Sequence, residues 1–142
     1  MKLLFSLLIF LLLFGCASKP QTYYFDCHDQ VPEIVFTYFP QALTSIGYDV
    51  LKIDRSTSTF QATKPIRMTN KEKGIEYESI QIIVKFHFDQ KKSEITQYYV
   101  NEYNGKKKTS ALSKDQILIH EKDALKLLEK TLFYCNPEFK GR

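Results

Sequence analysis

Three cysteines carry the reactive sulfur of this 142-residue chain: Cys16, Cys27 and Cys135. A thiolate can attack an electrophile, hold a metal ion or pair with a second thiol, and its neighbours decide which. Cys27 is followed by His28 and Asp29, a run of ligand types. Side chains of adjacent residues rarely converge on one ion, and a second thiol offers Cys27 a simpler use. His28, His87 and His120 are scattered, and no nucleophile elbow, phosphate-cradling glycine loop or zinc-type Cys/His spacing occurs. The expectation is therefore a protein without catalytic residues, metal or cofactor.

Cys16 closes an apolar run. Lys2 supplies a short positive start, and Leu3 to Phe14 contains one Ser and no charge. That length suits the core of an export signal, whereas a membrane-crossing helix needs about 20 apolar residues. Leu13-Phe14-Gly15-Cys16 resembles the lipobox of bacterial lipoproteins, with Phe14 bulkier than the usual small residue. The resemblance implies a signal peptide over residues 1–15, cleavage after Gly15, and a diacylglyceryl thioether and an N-acyl chain such as palmitate on Cys16. It also implies anchoring in a membrane on its periplasmic side. Residues 16–26 read as the lipidated tether, ending in Tyr23-Tyr24-Phe25, a cluster too apolar for a free linker that should pack on the domain or pair as an edge strand. Ala17, where an Asp would resemble an inner-membrane retention signal, favours the outer membrane. In an exported chain, Cys27 and Cys135 are most simply a disulfide; the alternative is two separate thiols.

Charge narrows the partners. Twenty basic and sixteen acidic side chains give +4, and removing Lys2 with the signal leaves 19 against 16, or +3. That surplus is too mild for a nucleic-acid partner. Lys71, Lys73, Lys106, Lys107 and Lys108 form a candidate basic patch for an acidic polymer or an envelope protein, or else a set of turn charges that keep sheet edges soluble.

The elements that must position these residues follow from periodicity. A helix starting at Asp29 or Gln30 and stopping at Gly47 carries Val35, Tyr38, Phe39, Ala42, Leu43 and Ile46 as its apolar stripe. Pro40 inside it predicts a kink near residues 36–39 or two short helices. Four strands follow: Tyr48–Asp54, Thr59–Arg67 with Phe60, Ala62 and Ile66 on one face, Glu76–Asp89, and Glu94–Tyr103. Met68–Gly74 reads as a turn. A last helix spans Glu121–Tyr134 with Ala124, Leu125, Leu128 and Leu132 buried. It begins as early as Ser113 if Ser113-Lys114-Asp115-Gln116 is a capping box, unless Ile117-Leu118-Ile119 is a short strand.

The order is an α+β two-layer sandwich, helix–four-stranded antiparallel meander–helix, with both helices on one sheet face, in a single domain over residues 27–142. Such a meander puts Cys27, Cys135 and the entry of the tether at one end, and the lysines at the far end. It leaves Tyr99 and Tyr103, with Tyr77 as a further candidate, on the open face as a surface for a partner or an added strand, or for a second copy of the chain.

Ala42-Leu43, Gly47-Tyr48, Val50, Asp54-Arg55-Ser56 and Phe60-Gln61-Ala62 resemble the helix–Gly–strand–turn–strand unit of helix-grip modules. Such modules occur in periplasmic lipoproteins, including the accessory lipoprotein of the β-barrel assembly machinery; they often carry Gly where this chain has Ser58. The resemblance implies a non-enzymatic scaffold. The functional expectation is a non-catalytic interaction or scaffold protein of the bacterial envelope, with a lipoprotein inhibitor or small-ligand binder as the alternative.

Overall fold

The computed structural model describes residues 20–28, 30–72, 74–132 and 135. The lipobox with Cys16, the signal segment, Asp29 and Lys73 lie outside them. Among the described residues the order is β1 (Gln21–Phe25), α1 (Pro32–Ser45), β2 (Asp49–Asp54), β3 (Thr59–Lys71), β4 (Gly74–Lys85), β5 (Ser93–Tyr103), β6 (Lys106–Ser110) and α2 (Lys114–Leu132). The fold is α+β, an antiparallel sheet of six strands with two helices.

Strands β2 to β5 are neighbours in chain order, and two further strands share the outer edge of β5. β1 contains Tyr23-Tyr24-Phe25, the end of the tether expected to pack or pair as an edge strand, and it pairs with Ser93–Gln97. β6 pairs with Tyr99–Tyr103 after a turn in which Asn104 and Gly105 both take positive φ, 49° and 75°. β1 runs from Gln21, opposite Gln97, to Phe25, opposite Ser93. The chain therefore enters the sheet midway along β5 and runs toward the disulfide. An entry beside the disulfide is corrected by this antiparallel direction.

β3 is longer than its apolar pattern suggests, whereas β4 starts two residues earlier than Glu76 and ends at Lys85, so Phe86 and Phe88, read as strand, follow it. Residues 68–71, read as part of a turn, continue β3 and pair with Gly74 to Tyr77. Thr69, Asn70 and Lys71 are polar and Met68 is exposed, so the strand, which extends past the core, leaves no apolar pattern to read. Gly74 takes φ 156°, and a Cβ there would displace the side-chain amide of Asn104.

Register shifts between Val50 and Lys52 and between Pro65 and Arg67 mark bulges at Leu51 and Ile66. An extra residue resets the alternation of a strand. Phe60 and Ala62 remain core residues, but Ile66 is 44% exposed and does not join them. Tyr99 and Tyr103 pair with Ile80 and Glu76, in the phase of the buried Ile80, Ile82 and Val84. Of the three tyrosines read as an open row, only Tyr77 lies in the opposite phase, which corrects that reading.

One core joins sheet and helices. Phe60, Ile80, Ile82, Val84 and Ile95 pack with Val35, Phe36, Phe39 and Leu43 of α1 and Ala124 and Leu127 of α2. The Phe39 ring centroid lies 4.9 Å from those of Phe60 and Phe86, both edge-to-face, an arrangement that suits the aromatic quadrupole. α1 continues through Pro40 as one helix. Its buried stripe includes Phe36 and leaves Tyr38 exposed. Gly47, at φ 90°, ends the turn that follows.

α2 starts with the capping box. Ser113 N donates to Gln116 Oε1 at 2.8 Å, and Gln116 N donates to Ser113 Oγ at 3.3 Å. Ile117–Ile119 are thus helical, not a strand. Leu125, read as buried, is 36% exposed. The side chains of Leu128 and Leu132 lie outside the described residues. Cys27 and Cys135 form a disulfide, both buried, with Cα atoms 4.5 Å apart.

Candidate functional site

The bulged residues Leu51 and Ile66 both line a groove of about 560 Å³. Met68, Tyr77 and Val100 supply more of its apolar wall, while Asp49, Arg67, Glu102 and Lys107 bring charge. Leu51 is 59% exposed and Met68 65%, so these side chains are available to a partner. β2 pairs with β3 only as far as Thr63. Beyond that point, no strand among the described residues lies on the outer side of β3, and the groove runs beside this unpaired stretch. Unpaired strand edges with adjacent apolar side chains accept an added strand.

At the groove's edge, a polar ladder that includes the groove residues Arg67 and Glu78 holds the far part of the sheet. Arg67 Nε and Tyr99 Oη both donate to the Glu78 carboxylate. The Arg67 hydrogen bond, then that of Tyr99, hold Glu78 below the usual carboxylate range. Burial, then the bond to Glu78, raises the Tyr99 phenol. Glu76 is likewise lowered, first by its bond to Lys71 and then by Asn101.

The candidate basic patch is thus partly spent. Lys71 pairs with Glu76 and lies 5.8 Å from the Tyr103 ring centroid. Lys107 Nζ is 3.5 Å from Glu102. The pairings Lys71–Gly74, Glu76–Tyr103 and Tyr103–Lys106 bring Lys71 and Lys106 to the same end of the sheet. Lys73 lies outside the described residues.

A second cluster sits under α2. Lys64 Nζ donates to Asp123 Oδ2 at 2.8 Å and to the Ile46 carbonyl at 3.1 Å, just past the end of α1. His120 Nδ1 lies 3.8 Å from the same Asp123 oxygen, and Gln97 Nε2 donates to the His120 carbonyl at 3.2 Å. Tyr48 Oη faces Gln97 and Asp123 without closing a hydrogen bond to either. Burial pushes the Tyr48 phenol up and the His120 imidazole down, although Asp123 opposes the second effect. While Tyr48 Oη and Gln97 Oε1 stay without a hydrogen bond, Lys64, Asp123, His120 and the Gln97 amide N–H are tied together. Their chemistry is to fasten β3, β5, α2 and the end of α1, with a cation at that end as the helix dipole favours.

Sequence reasoning missed this cluster. One signal was present: Lys64 continues the buried phase of Phe60 and Ala62, where a lysine needs a partner.

The three histidines are not brought together. His28 pairs with Asp26 at 2.6 Å beside the disulfide, and the His87 backbone N–H donates to Ser93 Oγ. Among the described residues, no group of three or more His, Cys, Asp or Glu could hold a metal ion, and no helix is long and apolar enough to cross a membrane. No family model matches the chain, and no curated protein matches it.

Proposed function

We propose that the chain is a lipid-anchored, non-catalytic interaction protein of the bacterial cell envelope. Cys16 holds it on the periplasmic side, with the outer membrane favoured. It serves as a scaffold for an envelope protein partner. In this reading the fold is a two-layer sandwich with both helices on one sheet face, and the other face receives the partner. The occupant is an extended segment of that partner, added to the unpaired half of β3 with alternate apolar side chains in the groove. The observation that carries the reading is the outer edge of β3 past Thr63, flanked by exposed Ile66 and Met68. Main-chain bonds would supply affinity there and the groove would supply selectivity.

The volume of the groove also falls in the range of small-molecule sites, which supports the alternative of an inhibitor or small-ligand binder. Site-specific photo-crosslinking in native membranes separates these readings. A crosslinker at Met68 should give one envelope-protein adduct, and one at Lys130, on the exposed side of α2, should not. A secreted soluble enzyme as the adduct favours the inhibitor, and a second copy of the chain favours a dimer. Failure of Met68 to crosslink to any protein would remove the docking edge. Mass spectrometry of the mature N-terminus tests the anchor: a chain starting elsewhere than a lipidated Cys16 refutes it.

A further inference from the structure

β6 is Lys106-Lys107-Lys108-Thr109-Ser110, an edge strand in which every residue is exposed. It has three lysines and no carboxylate. It lies end to end with β1 along the outer edge of β5, Ser110 opposite Tyr99 and Gln21 opposite Gln97. The point where the chain enters the sheet is therefore the junction of these two edge strands. On the other side of that junction, Lys92 Nζ sits 4.2 Å from the ring centroid of Tyr24, a β1 residue. The acids nearby are Glu94, opposite Tyr24; Glu102, already paired with Lys107; Asp26, paired with His28 just past β1; and Glu121 of α2, which acts on Tyr23.

Chain length limits where a membrane can lie. Cys16 precedes Gln21 by five residues, which span at most about 18 Å. Tyr103, at the lysine end, is six ladder positions from Gln97, about 20 Å away. Ser93, toward the other end, is four positions or about 14 Å away, and the 86–92 connection follows it. A bilayer holding Cys16 is reached most directly with the β1–β6 edge laid along it, not with either end of the sheet pointed at it.

We infer that this edge is the surface the domain lays on its own anchoring membrane, with Lys106, Lys107 and Lys108 against anionic phosphate headgroups. The inference rests on the lipid-anchor reading of Cys16. Juxtamembrane lysines gain from the negative surface potential only within a screening length of the lipid, and this placement brings the β6 lysines within it. The opposite edge, β2, and the side of the groove lined by Leu51, Ile66 and Met68 then face away and remain open to a partner, while Lys107 and Thr109 form the side nearest the lipid.

The test is lysine acetylation footprinting of the full mature chain, reconstituted in phosphatidylcholine vesicles and in vesicles that also contain phosphatidylglycerol. Labelling of Lys106–Lys108 should fall several-fold in the anionic vesicles and recover at high salt. Lys52 on β2 and Lys130 on α2 should label equally in both. Equal labelling of Lys106–Lys108 in the two vesicle types would overturn the inference. Flotation keeps the premise separate: a chain that does not float with phosphatidylcholine vesicles refutes the anchor at Cys16. In that case the edge is judged by flotation with phosphatidylglycerol vesicles, which Lys106→Gln, Lys107→Gln and Lys108→Gln together should abolish. Unchanged flotation of that variant would refute the edge contact.

Discussion

The Lys64 ammonium donates to the Asp123 carboxylate at 2.8 Å, joining β3 to α2 across 59 positions of sequence. The side chains are 30% and 12% exposed, so most of their hydration is lost. Such a pair contributes little compared with a well-packed apolar replacement, yet losing one partner strands the other. Asp123→Ala should cost about 2–4 kcal/mol in urea denaturation. Lys64→Met with Asp123→Leu should cost clearly less than Asp123→Ala alone. A double variant as damaged as the single would show that the pair stabilises the fold directly.

His120 makes stability depend on pH. Burial lowers its pKa, Asp123 works against that, and Lys64 adds to it. The folded imidazole stays neutral to lower pH than the unfolded one, so the unfolded chain binds the proton first. Stability contributed by neutral His120 is present above the ordinary value of about 6.5 and is lost as pH falls through the lower folded value. Melting temperature should therefore decline from pH 7 to pH 5, and His120→Gln should flatten that decline. The lowered Glu76 and Glu78 act in a more acidic window: their contribution is present above the ordinary 4.5 and is lost as pH falls through their lower folded values. A wild-type profile flat between pH 7 and 5 would refute the assignment to His120.

The disulfide closes a loop of 108 positions between two buried sulfurs. Loops of that length gain up to about 4.7 kcal/mol from restriction of the unfolded chain. Cys27→Ser with Cys135→Ser should lower stability by about 2–5 kcal/mol in urea denaturation. A non-reducing peptide map should recover Cys27 and Cys135 in one linked peptide pair. Two free thiols there would contradict the bond.

Much of the core was legible because it alternates. Ile80, Ile82 and Val84 announce a strand with one buried face, and Ser113 with Gln116 announces a helix start. The pairing of Cys27 with Cys135 was legible from reading the chain as exported and from the parity of the remaining thiols. β6 was not, because a strand exposed at every residue has no alternation to read. The bulges at Leu51 and Ile66 leave no mark in composition, yet they decide which apolar side chains reach the groove. The partner of Lys64 lies too far along the chain for local spacing to reveal it. Each miss is a feature made by pairing or packing at a distance.

The arrangement of β1 has a mechanical consequence. A pull on the chain ahead of Gln21 would act first on the pairs between β1 and β5 and strip them one by one. After Phe25 the load reaches Cys27, which is covalently tied to Cys135 beyond α2. Unravelling would stop there, a few residues in, and the force would pass to a bond that does not yield. The first strand of the sheet is a short length of slack ahead of a fixed knot.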